Sequence, residues 1–77
     1  MKDLVLESFE NPQGNQCVDI FSRPDGTFGF EEFRRDWEDG GLWVSLNRYS
    51  RLVFESEIEA RTQAASSVPW SDRRTQY

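Results

Sequence analysis

The sequence has no histidine, a single cysteine (Cys17), a single methionine, and no apolar run even half the length of a membrane span. Each absence removes a class of function. Without histidine the commonest general base is missing, and Cys17 has no imidazole to activate it as a nucleophile. Neither a zinc-ligand spacing nor a glycine-rich phosphate loop is present, so no metal and no cofactor are expected. A lone cysteine cannot close an internal disulfide, which points to a reducing, cytoplasmic setting. The opening "MKDLVLESFE" places acids too early, and its apolar run is too short, for an export signal. The 77 residues make one domain at most. A chain of this size buries about 60–65% of the surface exposed on unfolding, which leaves no room for both a core and a deep catalytic cleft. No enzymatic activity is expected.

What is present is aromatic and acidic. Six Phe, three Trp and two Tyr can fill a thin core with few residues, so a folded chain is expected. The net charge is −5. Residues 1–40 carry ten acids and four bases, and residues 41–77 carry four acids and five bases. An acidic balance argues against general nucleic-acid binding, whose affinity comes mainly from neutralising phosphates.

Along the chain, Leu4–Phe9 alternates loosely and reads as a first strand, and Cys17–Ser22 reads as a second, with Val18 and Ile20 on one face. "ENPQGN" between them is a loop. "RPDG" is a strong turn: Pro24 sets the backbone, Asp25 bonds locally and Gly26 accepts a positive φ. "TFGFEEFRRD" is then a third strand, since Thr, Phe and Gly29 all disfavour a helix there. The spacing of Phe30, Phe33 and Trp37 shifts phase, which predicts a bulge near Phe33 or a face exposed beyond the core. Trp37–Gly41 is a turn, Leu42–Asn47 a fourth strand with Leu42, Val44 and Leu46 on one face, and Leu52–Phe54 either extends the sheet or leads into a helix. Ser56 and Glu59 form a capping box for that helix, with Ile58, Ala64, Ala65 and Val68 on its buried arc and Pro69 at its end. Trp70 is expected to fold back on the core.

The predicted fold is α+β: an antiparallel three- to four-stranded meander followed by one C-terminal helix on one face. The domain spans 1–70, and 71–77 form a flexible tail. One helix cannot cover both faces of a sheet, so aromatics such as Phe28, Phe30 or Trp43 are expected on an open face.

"PDGTFGFEEF" resembles two functional motifs. As an EF-hand loop, Gly26 would be the turn glycine and Glu32 the closing carboxylate. Counting back then puts Phe21 and Arg23 at ligand positions that need oxygen, which removes the calcium reading. As the aromatic octapeptide of RNA-recognition motifs, Phe28, Gly29, Phe30 and Phe33 match. Gly26, however, stands where the basic residue should be, Thr27 where the glycine should be, and Glu31 where the valine should be. The lead-in of about 25 residues also lacks the helix that such a fold requires. A weaker form survives, in which Phe28 and Phe30 stack bases while Arg34, Arg35, Arg48 and Arg51 pair with phosphates. Against it stands the simpler reading of core phenylalanines with arginines as cross-strand partners of Glu31 and Glu32. Cys17 on a strand reads as packing. Glu31, Glu32, Asp36, Glu38 and Asp39 are the acids available for a cation site, but Glu31 and Glu32 should face opposite ways.

The stretch "PDGTFGFEEFRRDWEDGGLW", followed by "YSRLVFESEIEA" and "VPW", resembles a group of small uncharacterised bacterial proteins, a domain of unknown function with an F-G-F-E-E-F-R-R-D block. The similarity runs from about Asn15 to Trp70. Trp37 departs from it, standing where a turn residue such as proline is expected. The resemblance implies a bacterial cytoplasmic domain and carries over no functional residues.

The expectation is thus a non-enzymatic interaction or accessory domain that pairs with itself or another protein, with a homodimer through the open sheet face or an edge as one form. Its candidate binding residues are Phe28, Phe30, Arg34, Trp43 and Arg48. Single-stranded nucleic acid is the alternative partner; no membrane and no metal are expected.

Overall fold

The computed structural model describes residues 2–68 and residue 70. The predicted tail over 71–77 and the helix-ending Pro69 lie outside the described residues. Four strands follow one another: β1 (Leu4–Glu10), β2 (Gln16–Ser22), β3 (Phe28–Arg34) and β4 (Val44–Ser45). Each pairs antiparallel with the next, giving the order β1-β2-β3-β4. The helix α1 (Glu57–Ser67) then packs across β2 and β3. This is the α+β meander with one C-terminal helix.

Two tight connections set the register. In the loop after β1, Asn11 is buried and its side-chain Oδ1 accepts from the amides of Asn15 and Gln16, both at 3.0 Å. Between β2 and β3, Gly26 N–H donates to Arg23 O at 3.0 Å and Arg23 N–H to Thr27 O at 2.8 Å. The Asp25 carboxylate accepts from the Thr27 amide and hydroxyl, which holds its pKa below the ordinary value. The β2–β3 ladder then runs unbroken from Gln16↔Arg34 to Ser22↔Phe28. The bulge expected near Phe33 is absent. Phe33 alternates regularly onto the face opposite Phe30, and the irregularity lies in β1, between Val5 and Glu7.

The core lies between sheet and helix. Val18, Ile20 and Phe30 have no exposed surface, and Ala60, Ala64 and Val68 close over them. Phe30 stacks on Tyr49 at 4.8 Å and on Phe54 at 5.9 Å between centroids. Each large side chain buried this fully contributes about 1.5–3 kcal/mol. The small Ala60 and Ala64 let the helix axis approach closely. Trp70 packs half-buried against the same cluster, as its position suggests. The Ser56 hydroxyl caps the helix by accepting from Glu59 N at 3.1 Å. Arg61 joins Glu57 on the helix to Glu7 on β1, so the helix is tied to the first strand as well.

Two elements differ from expectation. Ile58 is 76% exposed, so the buried arc is Ala60, Ala64 and Val68 at i, i+4 spacing, with Ala65 only half-buried. The fourth strand has two residues in place of six. Gly40 and Gly41 adopt φ of 87° and 72° just before it, and Asn47 adopts φ 52° just after, which confines the extended run. Leu42 and Val44 are consequently exposed at 75% and 61% and do not join the core. Residue 54 rejoins the sheet through a single bridge: Phe28 and Phe54 exchange N–H···O bonds at 2.8 and 3.0 Å.

Candidate interaction surface

Strand alternation places Val18, Ile20, Phe30 and Glu32 under the helix and Cys17, Asp19, Phe21, Gly29, Glu31 and Phe33 on the other face. β1 follows suit, with Phe9 against the core and Val5, Ser8 and Glu10 opposite Phe21, Asp19 and Cys17. The uncovered face holds a hollow of about 280 Å³ whose apolar floor is Val5, Phe21 and Phe33. Gly29 shapes that floor. A Cβ there would lie 2.6 Å from Arg23 Nη2 and 2.9 Å from the Phe21 ring, so only glycine lets Phe21 lie flat over β3 with Arg23 stacked upon it. The Arg23 fork is spent on carbonyls: Nη1 donates to Phe28 O, and Nη2 to Ser50 O and Leu52 O.

Glu31 anchors the far side of this face. After β4 the chain leaves the ladder, and the positive φ of Asn47 turns three successive amides inward. The Glu31 carboxylate receives them, from Arg48 at 3.2 Å, Tyr49 at 3.1 Å and Ser50 at 3.0 Å. It also accepts from the Ser50 hydroxyl and from Glu32 N. Such a row of backbone N–H groups is a natural anion receptor. Burial alone would raise the Glu31 carboxyl, but the Ser50 hydroxyl and the backbone amides outweigh it and hold the group below its ordinary value. Among the described residues no buried side-chain polar atom lacks a partner.

Cys17 is buried, and its Sγ–H donates to Asp19 Oδ1 at 3.2 Å. Burial first, and then the neighbouring Asp19 acceptor, push its thiol up to about 12. A thiol that stays protonated at neutral pH is a poor nucleophile. Asp19 also accepts from the Ser8 hydroxyl at 2.7 Å. Among the described residues no three acidic or Cys side chains are placed to hold a metal ion.

A second surface lies at the β4 end. The Arg35 guanidinium sits between Trp37 and Trp43, 4.0 and 4.3 Å from the ring centroids, and donates through Nε to Gly14 O at 2.8 Å. Gly41 has no Cβ to clash with the Trp37 ring, where one would lie 3.0 Å away. Leu42, Val44, Leu46 and Arg34 line a groove of about 310 Å³ beside it.

The five predicted binding residues separate. Phe30 is wholly buried and cannot stack a base, and Phe28 packs half-buried against the core, so the expected open aromatic face is not built from them. Physically, they alternate onto the side that the helix covers. Arg48 is largely exposed but pairs with Glu32 at 3.3 Å. Trp43 stacks on Arg35, and Arg34 is exposed beside Val44. The open face is instead made by Val5, Phe21 and Phe33, and the amide cluster bound by Glu31 had only one sequence signal, an asparagine able to take a positive φ.

No protein-family model, curated protein or solved structure matches this chain.

Proposed function

We propose that the protein is a non-enzymatic interaction domain that takes a strand of another protein molecule, a second copy or a different chain, along β1 and the adjoining open face. One observation carries the reading. Among the described residues β1 is the outermost strand on its side of the sheet, and it displays Leu4, Val5 and Leu6 at 64%, 51% and 36% exposure. An unpaired edge with exposed apolar residues is a template for strand addition. The protonated Cys17, the fully engaged Glu31 and the absence of histidine support a role without catalysis. The F-G-F-E-E-F-R-R-D resemblance supports a bacterial source, and a lone cysteine fits a reducing cytoplasm. Among the described residues no helix is long and apolar enough to cross a membrane. Size-exclusion chromatography with light scattering tests the self-pairing form: a concentration-dependent dimer supports it, and a strict monomer at high concentration removes it.

A second reading, single-stranded nucleic acid, transfers from Phe28 and Phe30 to the exposed Trp37 and Trp43 beside Arg34. Asp36, Glu38 and Asp39 adjoin that corner and would repel phosphate. Titration with short oligonucleotides at low salt, read by tryptophan quenching, decides it; no quenching there ends the reading, because low salt is its best case.

A further inference from the structure

We propose that the strand received by β1 comes from a different protein and carries lysine or arginine at two positions six residues apart, with an apolar residue between them. This rests on the reading of β1 as the docking edge and names the partner's chemistry.

The spacing follows from the register. On the open face Asp3, just before β1, is followed in order by Val5, Ser8 and Glu10. Asp3 and Val5 line the hollow with Phe21, Ser8 bonds Asp19, and Glu10 lies opposite Cys17. The bulge between Val5 and Glu7 absorbs one residue, so these four occupy consecutive same-face positions. Same-face neighbours in a strand are about 6.6 Å apart, which puts the two terminal carboxylates roughly 20 Å from each other. An added strand meets them with its residues i and i+6, and its residue i+2 or i+4 lies over Val5 and the Phe21 floor.

The charge follows from which acids are already neutralised. On the helix side of β1, Glu7 is paired with Arg61. On the open side, Asp19 is bonded to Ser8 and Cys17, Arg23 is turned onto three carbonyls, and Arg35 is held by Trp37, Trp43 and Gly14 O. Among the described residues, Asp3 and Glu10 therefore stand on the open face without an ion-pair partner. Self-pairing suffers from the same charges. Two copies of the 2–10 segment bring six acids, Asp3, Glu7 and Glu10 from each, against two lysines. Acids and a bulge are devices that blunt an edge against copies of itself. Toward a basic strand the bulge still leaves hydrogen-bonding positions on either side, and the acids become attractive.

The test uses the whole chain and a capped nine-residue peptide with lysine at its second and eighth positions, valine at its fourth, and threonine elsewhere. Binding is followed by backbone amide shifts in ¹⁵N spectra at low salt. The expected result is saturable shifts centred on β1. Replacing both lysines by glutamate should abolish them, and the exposed double substitution Asp3→Asn, Glu10→Gln should weaken binding about fivefold or more. Equal binding of lysine and glutamate peptides at β1 overturns the proposed charge while leaving the docking edge in place. A dimer whose β1 amides are protected without any peptide overturns the foreign-strand assignment in favour of self-pairing. No β1 shift with either peptide at millimolar concentration, in a chain that is also monomeric, overturns the docking edge itself.

Discussion

Glu31 shows how far one side chain can decide the path of a chain. Its carboxylate replaces the ladder partners that residues 48–50 lose on leaving the sheet. Glu31→Ala would strand those amides in a water-poor position, and a loss of about 2–4 kcal/mol in urea unfolding is expected. Glu31→Gln keeps the shape but puts an NH₂ where one acceptor stood, and should lose less. The sign of the pH dependence is fixed too. The folded value is lowered below 4.5, so the stabilisation is complete above that pH and disappears as pH falls through the folded value. The acid limb of the stability curve should be shallower in Glu31→Gln. Little of this was legible in the sequence. A glutamate between two strand residues reads as a solvated face, and its partners are backbone amides that depend on one left-handed asparagine.

At the scale of elements, the parts with local chemistry were legible. Pro24-Asp25-Gly26 names its turn, and Ser56 with Glu59 names a helix start. Ser56→Ala should cost about 1 kcal/mol in thermal unfolding. The helix's phase was legible only in part: Ala64 and Val68 were on the expected arc, but Ala60 was missed and Ile58 was misplaced. Its buried arc consists of Ala60, Ala64 and Val68, which carry too little apolar weight to outvote Ile58 in a periodicity argument. Ile58→Glu should therefore change stability by no more than about 0.5 kcal/mol, whereas a core position would lose several. The fourth strand was overextended because Leu42, Val44 and Leu46 alternate like a half-buried strand. Alternation fixes which side chains share a face, and it does not ensure that anything covers that face. The same limit applies to Phe28 and Phe30: their common face was readable, but not that α1 would cover it.

The described residues form a thin slab, 37 × 32 × 18 Å, with α1 on one side of the sheet. A domain of this length has a stability of roughly 4–12 kcal/mol. Phe30 touches sheet, helix and the returning segment through Tyr49 and Phe54. Phe30→Ala should remove about 3–5 kcal/mol, a large share of that stability, measurable as an earlier urea midpoint followed by far-ultraviolet circular dichroism. Such a thin core leaves few hydrophobic residues to spare for a second covered face, and this is why Val5 stays exposed and Phe33 half-exposed there, with Phe21 shielded by Arg23 in place of a helix.

The indole pair around Arg35 has an optical consequence. Two of the three tryptophans share one guanidinium at the β4 corner, and the third, Trp70, rests against the core. Emission thus weighs the corner twice and the core margin once, while the peptide bands of circular dichroism weigh the sheet and helix. If the two denaturation curves superimpose, the Arg35 clasp opens together with the sheet. If emission changes first, the corner is a separately melting unit, and the protein's own light distinguishes the two.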